Sequence, residues 1–218
     1  GGTLGSVAEG RLPTGGLVQP DFDALLARAG QPATVTLVTQ SQTITTRNVI
    51  AQTTTGRTDE VVMAGAHLDS VPEGPGINDN GSGSAAQLEI AVRLGGAPPV
   101  TNAVRFAWWG AEEVGLLGST AYVQGLTPEA RRDIAVLLNA DMLGSPNPAY
   151  FVYDGDDSER QGAGPGPGGS GGIERTFEKF YADRGIPLAP DDFDGRSDYG
   201  PFIAVGIPSG GVFTGAAT

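Results

Sequence analysis

The feature that most constrains the fold is an alternation of short apolar segments with segments whose apolar residues recur at helical spacing. Residues 60–65 and 103–109 have the character of strands, whereas residues 81–94 carry Ala86, Ile90 and Leu94 at helical spacing. Strands that alternate with helices build a mostly parallel sheet with helices on both faces. We therefore expect an α/β fold, with a mostly parallel central β-sheet sandwiched by helices.

The same patterns predict the remaining elements. Further strands are expected over residues 33–38, 48–54, 134–140, 150–153 and 207–213. Further helices are expected over residues 21–29, 116–123 and 173–184. Residues 162–172 contain only Gly, Pro, Ala and Ser, so we expect them to form a surface loop.

The charge and the cysteine content exclude several classes of function. The 218 residues carry a net charge of −12, so binding to nucleic acid or to an anionic lipid surface is not expected. The absence of cysteine excludes a disulfide framework and a thiolate metal site. The apolar runs are far shorter than the ~20 residues of a membrane span, so we expect no membrane insertion by this segment.

Acidic residues and the single histidine follow the ends of the predicted strands. In open α/β sheets ligands bind outside the carboxyl ends of the strands, so these side chains are expected to meet at one edge of the sheet. They are His67, Asp69, Asp79, Glu112, Glu113 and Asp141.

Such a cluster needs a positive charge, because neighbouring carboxylates repel one another when all are ionised. These segments contain no lysine or arginine that could supply it, whereas a divalent cation would. One imidazole with several carboxylates suits zinc, and a carboxylate that bridges two ions would explain the surplus of acids.

Each feature also has a purely structural explanation. A lone histidine at a strand end is more often a hydrogen-bonded polar residue than a ligand, and paired glutamates usually face solvent. The run NDNGSG at 78–83 is typical of a turn and lacks the acids of an EF-hand loop. The run GGSGG at 168–172 matches the nucleophile-elbow pattern, but no strand precedes it. Only the combination of features favours a metal site.

Four ordered motifs resemble those of one enzyme family, the secreted di-zinc aminopeptidases of streptomycetes and other actinobacteria. They are AGAHLDS (64–70), GINDNGSG (76–83), WGAEEVGLLGS (109–119) and NADMLGS (139–145). The segments GRSDYGPF (195–202) and GGVFTG (210–215) extend the resemblance, which covers roughly residues 45–218. It implies the zinc exopeptidase fold, which is phosphorylase/hydrolase-like.

The resemblance also implies a role for each matched metal ligand. His67 and Asp141 bind the first zinc, Asp79 bridges both ions, and Glu113 binds the second. Glu112 is implied as the general base that takes a proton from a metal-bridging water.

Three further roles follow from the same resemblance. Asp69 is implied to orient the imidazole of the zinc-binding histidine. Arg196 and Phe213 match positions that line the substrate site, with Phe213 at the pocket for the hydrophobic side chain.

The family also has a tyrosine–histidine motif nearer its C-terminus, to which nothing in these 218 residues corresponds. We expect the chain to be truncated at both ends. Residues 1–45 resemble the C-terminal part of a protease-associated domain with its linker, as found in lipoprotein aminopeptidases of mycobacteria. Residues 46–218 would then be the catalytic domain without its C-terminal segment.

The expected activity is hydrolysis of N-terminal, large hydrophobic residues from peptides with a free N-terminus. An acid-lined site suits a free amine, whereas a site for a carboxylate would call for more arginines than Arg196. The alternatives are a carboxypeptidase or glutaminyl cyclase on the same scaffold, and a receptor-like module without a working metal centre. An extracytoplasmic, monomeric protein is expected, either secreted or lipid-anchored to the cell envelope.

Overall fold

The computed structural model describes residues 16–36, 38, 43–160 and 163–215. The chain divides into two units, Gly1–Thr45 and Thr46–Thr218. Among the described residues of the first unit, one helix forms, α1 (Gln19–Leu26), and it buries none of its side chains. It begins before the predicted residue 21, since Pro20 has a fixed φ that suits the first turn.

The predicted strand over residues 33–38 does not form in the part that the structure describes. Residues 33–36 and 38 have no strand conformation, and residue 37 lies outside the described residues. Val35 and Val38 are exposed. A β-strand needs a neighbouring strand for its backbone hydrogen bonds, and the described part of this unit contains none.

The second unit is built on one seven-stranded sheet in the order β1-β3-β2-β4-β7-β5-β6. The strands are β1 (Val49–Gln52), β2 (Arg57–His67), β3 (Asn102–Trp109), β4 (Ile134–Ala140), β5 (Phe151–Tyr153), β6 (Ala189–Asp191) and β7 (Ser209–Phe213). The four central strands, β3, β2, β4 and β7, are mutually parallel. β1 pairs antiparallel with β3, and β5 pairs antiparallel with β7 and parallel with β6.

Five helices accompany this sheet in the described part of the second unit. They are α2 (Gly81–Leu94), α3 (Leu117–Gly125), α4 (Pro128–Arg132), α5 (Ser170–Ala182) and α6 (Gly200–Ile203). The prediction of a mostly parallel sheet flanked by helices is confirmed. None of the helices in the described ranges combines the length and the apolar character required to traverse a bilayer.

The predicted loop over residues 162–172 is too long, because α5 already begins at Ser170. The first turn of α5 lies against the turn after β5. A Cβ on Gly171 would lie 2.5 Å from a carboxylate oxygen of Asp156, and one on Gly155 would lie 2.5 Å from the carbonyl carbon of Ser170. These two glycines are therefore required because the backbones pack closely, and not because the segment is a loop.

The apolar core lies around the central strands and the aromatic side chains that cover them. Trp109, Met63, Leu137 and Phe202 are fully buried. The indole of Trp109 covers Gly65, where a Cβ would lie 2.6 Å from Nε1. This packing fixes the carboxyl end of β3 against β2, and both strands lead into the site described next.

Candidate active site

His67 is the last residue of β2, and its imidazole is buried, with 1% of the residue exposed. Its Nδ1 lies 3.0 Å from the main-chain carbonyl oxygen of Asp69. Its Nε2 lies 3.0 Å from Oδ1 of Asp79 and 3.4 Å from Oδ1 of Asp141. The hydroxyl of Ser84 donates to the carbonyl oxygen of His67 at 2.6 Å. The imidazole is thus held from both sides, with Nε2 directed at two carboxylates.

These three side chains have the arrangement of metal ligands. One ligand atom each from His67, Asp79 and Asp141 lies within 4.8 Å of the other two. Nε2 of His67 and Oδ1 of Asp141 are buried and have no hydrogen-bond partner among the described residues. Buried polar atoms without partners are costly, and a cation between them would satisfy all three groups. One imidazole nitrogen and two carboxylate oxygens form a donor set that suits zinc.

The electrostatics of the metal-free cluster lead to the same conclusion. Burial lowers the pKa of His67, but the nearby carboxylates of Asp141 and Asp79 outweigh burial and raise the pKa to about 11. A proton on the imidazole would then supply part of the positive charge that a divalent ion supplies when it binds.

The spacing between Asp79 and Asp141 is set by the backbone. Asn80 caps α2 by accepting the N–H of Gly83 at 3.0 Å, and its Nδ2 donates to the carbonyl oxygen of Ala140 at 2.9 Å. A Cβ on Gly83 would lie 2.1 Å from that same carbonyl oxygen. The start of α2 and the end of β4 therefore touch directly, which places the residue before Asn80 beside the residue after Ala140.

Asp141 has a second support on its other oxygen. The hydroxyl of Ser197 donates to Oδ2 of Asp141 at 2.6 Å, and Nδ2 of Asn139 donates to the Ser197 hydroxyl at 2.9 Å. Oδ1 is left facing His67. This chain of hydrogen bonds fixes the orientation of the carboxylate.

Glu112 and Glu113 follow β3, and the carboxylate of Asp69 holds their backbone. It accepts the N–H of Glu112 at 2.9 Å and the N–H of Glu113 at 3.1 Å. The carboxylate of Asp69 lies 3.8 Å from Nδ1 of His67. The hydrogen-bond partner of Nδ1 is therefore the main-chain carbonyl oxygen of Asp69. Oε1 of Glu113 accepts the N–H of Val71 at 3.2 Å.

The two glutamates differ in their surroundings. Burial, followed by the negative charges of Asp198 and Asp141, raises the pKa of Glu112 to about 8. Burial and the charge of Asp79 also raise the pKa of Glu113. The close group of metal-ligand atoms contains neither glutamate. Both glutamates face the same cavity as Asp79 and Asp141.

An open cavity of about 370 Å³ at the sheet edge is lined by six of the eight predicted site residues, whereas His67 and Asp69 are not part of its lining. Arg196 and Phe213, the two predicted substrate residues, both line it. The ring of Phe213 lies 5.7 Å from that of Tyr153, so one part of the wall is aromatic. The lining residues are Asp79, Glu112, Glu113, Asp141, Met142, Tyr153, Asp191, Asp192, Asp194, Arg196, Ser197, Tyr199 and Phe213.

Sequence reasoning missed several residues that support the site. Ser197 and Asn80 act through hydrogen bonds between distant segments, although Asn80 before a helical pattern is a typical N-cap signal. Asp198 is also buried, with 1% exposed, and its carboxylate oxygens have no hydrogen-bond partner among the described residues. Nothing in the local sequence distinguishes it from a surface aspartate.

A second acidic group lies after β5 and has a structural explanation. Asp154, Asp156 and Glu174 are close enough to hold a metal ion. Asp154 accepts the N–H of Ser158 at 2.9 Å, and Glu174 accepts the N–H of Gly155 at 2.9 Å. Asp156 pairs with Arg175 at 2.8 Å. These carboxylates are occupied in holding the turn against α5.

Comparison with known proteins gives one family and many relatives. The model of peptidase family M28 matches residues 48–218. The chain is 55% identical to the probable lipoprotein aminopeptidase LpqL of Mycobacterium tuberculosis, over 99% of the chain and 44% of that protein. It is 49% identical to the probable leucine aminopeptidase 2 of Arthroderma benhamiae, over 99% of the chain and 43% of that protein.

Comparison with solved structures also identifies a zinc aminopeptidase as similar to this chain. BSAP, a zinc aminopeptidase from Bacillus subtilis, is similar with a TM-score of 0.64 and 31% identity, over 77% of this chain and 40% of that one. The chain thus spans less than half the length of each of these three relatives.

Proposed function

The chain belongs to peptidase family M28, and from this premise we propose that it contributes the catalytic site of a zinc aminopeptidase. The observation that carries the proposal is the convergence of His67, Asp79 and Asp141, with Asp79 and Asp141 lining the same cavity as Glu112. The proposed reaction is hydrolysis of the first peptide bond of peptides with a free N-terminus.

We propose two zinc ions for this site, held through four of its residues. His67 and Asp141 would bind the first ion, Glu113 the second, and Asp79 both. Zinc, when bound, supplies Lewis acidity and makes a water molecule a strong nucleophile near neutral pH. Nε2 of His67 and Oδ1 of Asp141, which are buried without hydrogen-bond partners among the described residues, support the first zinc position most directly.

Glu112 is the proposed general base. Its carboxylate faces the cavity, and the resemblance assigns the neighbouring Glu113, not Glu112, to the second zinc, which leaves Glu112 to exchange protons. Its backbone is fixed by Asp69, which keeps the side chain beside the metal ligands. A base whose pKa lies close to the working pH takes and returns a proton most effectively. Glu112 would accept the proton of the attacking water and pass it to the leaving amine.

The second zinc needs a further ligand under this proposal. The resemblance implies a second histidine, preceded by a tyrosine that stabilises the developing oxyanion. His67 is the single histidine of the 218 residues, so the second histidine would have to come from outside them.

The cavity wall supports a preference for large hydrophobic N-terminal residues. Phe213, Tyr153 and Met142 supply apolar surface, and acidic groups surround the place where a free amine would lie. The name of the Arthroderma benhamiae relative, a probable leucine aminopeptidase, supports the same preference.

We further propose an extracytoplasmic location, since the mycobacterial relative is named as a lipoprotein, and we carry forward the expectation of a monomer. Residues 1–45 would be the end of a protease-associated domain, and residues 46–218 part of the catalytic domain. The unit boundary at Thr45 and Thr46 is compatible with this division.

One experiment separates the candidate functions. The zinc-loaded protein, including the segment that supplies the second histidine, is assayed with leucyl-glycinamide, with its N-acetylated form, and with a peptide that has a blocked N-terminus and a free C-terminus. Hydrolysis of the first substrate alone supports an aminopeptidase. Hydrolysis of the third indicates a carboxypeptidase. No zinc binding and no turnover would favour a receptor-like module.

A further inference from the structure

The cavity has a strongly unequal charge. Seven carboxylates line it, whereas Arg196 is the one cationic residue among the described residues of its wall. Two zinc ions would balance the charges of Asp79, Glu112, Glu113 and Asp141. Three carboxylates then remain opposite Arg196, and they are Asp191, Asp192 and Asp194. Arg196 is therefore the one cationic side chain of the described wall that could pair with a substrate carboxylate.

Arg196 is not free to act as that cation. Its Nε donates to Oδ2 of Asp194, and its backbone N–H donates to Oδ1 of the same carboxylate at 3.0 Å. The chain turns sharply between the two residues at Gly195, which has a φ of +82°. This turn brings the acid and the guanidinium of neighbouring residues together.

The position of Asp194 is fixed independently of Arg196. The hydroxyl of Tyr199 donates to Oδ1 of Asp194 at 3.3 Å and accepts the N–H of Gly195 at 3.0 Å. Tyr199 is buried, and its ring stacks on Phe193 with 4.7 Å between the ring centroids. The side chain of Asp194 is 24% exposed, whereas that of Arg196 is 84% exposed. The acid is therefore the fixed member of the pair, and the guanidinium is held by it.

We propose that Asp194 is a specificity-determining residue that neutralises Arg196 and so excludes substrates with a carboxylate close to the scissile bond. The excluded substrates are dipeptides, which carry a C-terminal carboxylate there, and peptides with an acidic second residue. The inference rests on the proposed aminopeptidase function. Under this inference, Asp194 makes the site prefer peptides that continue beyond the second residue over dipeptides that end there.

The test compares substrates that differ only in one carboxylate. Leucyl-glycine is compared with leucyl-glycinamide. Leucyl-aspartic acid α-amide, which has a free side-chain carboxylate, is compared with leucyl-asparagine α-amide, which has none. Values of kcat/KM are measured on the zinc-loaded protein. Asp194→Asn keeps the oxygen that accepts the backbone N–H of Arg196, so the turn is preserved while the charge is lost. We expect the ratio of carboxylate to amide substrate to rise about fivefold in both pairs, as for one unpaired charge in a partly solvated site.

Asp192→Asn is the matched control, since Asp192 lines the same cavity whereas the ion pair of Arg196 is with Asp194. It should change the ratio by less than twofold. The effect of Asp194→Asn should disappear when Arg196 is replaced by alanine. Arg196→Gln alone should lower the ratio, which provides a test even where the Asp194 variant fails to fold.

An unchanged ratio in Asp194→Asn would overturn the inference, as would an equal rise in Asp192→Asn or a rise that persists without Arg196. A rise confined to the dipeptide pair would restrict the assignment to the C-terminal carboxylate and overturn it for acidic side chains. Failure of the wild type to hydrolyse leucyl-glycinamide would instead overturn the proposed function itself.

Discussion

Asp69 holds Glu112 through the backbone: its carboxylate accepts the Glu112 N–H at 2.9 Å while its own carbonyl oxygen faces the imidazole of His67. The proposed base and the proposed zinc ligand are therefore positioned by one residue. A change at Asp69 should disturb both functions at once.

Asp69→Asn should lower both zinc affinity and kcat, by about 10–100-fold each. It keeps the carbonyl oxygen that faces His67 but removes a negative charge 3.8 Å from Nδ1, and it weakens the hold on the backbone of Glu112 and Glu113. An amide can accept only through its single oxygen, so one of the two backbone N–H groups after β3 loses its partner. Zinc titration and steady-state kinetics measure the two effects. Asp59→Asn, at an exposed position on β2, is the control and should change neither. A loss of kcat with unaltered zinc affinity would contradict the shared role of Asp69.

Glu112→Gln should lower kcat by about 10²–10⁴-fold and leave zinc binding nearly unchanged, because the base is not a ligand. Glu113→Gln is the matched variant next to it and should weaken binding of the second zinc. Metal analysis and kinetics on both variants provide the check. A near-normal kcat in Glu112→Gln would show that the assignment of the base is wrong.

The 218-residue chain should bind its first zinc ion more tightly than its second. The first position has His67, Asp79 and Asp141 already in place, whereas the second has no imidazole within this chain. Isothermal titration calorimetry measures the two steps, and His67→Gln should remove the tight one. Two zinc-binding steps of equal, high affinity in the wild type would contradict the expected difference between the two positions.

Phe213→Ala should reduce the preference for leucyl over glycyl substrates, since the ring forms part of the apolar wall. Each methylene that is buried in such a pocket contributes roughly 0.8 kcal/mol, or about fourfold in kcat/KM. Phe180→Ala removes an exposed ring on α5 and serves as the control. A wild-type preference for N-terminal aspartate or glutamate would contradict the hydrophobic assignment.

Asp198→Asn should stabilise the metal-free protein at pH 8 but not at pH 4. Burial is the largest cause that raises the pKa of Asp198 from 3.8 to about 7. Between these values the unfolded chain loses its proton while the folded chain keeps it, so stability falls as the pH rises through this window. The full penalty, at most about 4 kcal/mol, is present above pH 7. Thermal unfolding in EDTA at both pH values measures it, and an equal shift of Tm at pH 4 would contradict this explanation.

The strand order along the chain and most of the proposed ligands could be predicted from the sequence. Apolar strands that end at His67 and before Asp141 give a strong local signal, and parallel strands bring their carboxyl ends to one edge. The metal group of His67, Asp79 and Asp141 lies at this edge. Such contacts follow from topology alone.

Other elements carry too little local signal. β6 (Ala189–Asp191) has three residues and contains Pro190, which usually argues against a strand, and it is tolerated here because β6 is the outer strand of the sheet. The start of α5 at Ser170 lies in a run of glycines, which gives no helical signal. These glycines pack against the turn after β5, and that contact is not visible in the sequence. The pair of Asp194 and Arg196 depends on the turn at Gly195, which no periodicity reveals.

The close approach of Gly83 to the carbonyl oxygen of Ala140 makes position 83 important for function, although it contacts neither substrate nor metal. Any larger residue at position 83 would push α2 away from the end of β4 and widen the gap between Asp79 and Asp141. In a saturation-mutagenesis screen for loss of activity, position 83 should therefore tolerate as few residues as a metal ligand does. The spacing of Asp79 and Asp141 thus depends on the absence of a side chain at a position that binds neither substrate nor metal.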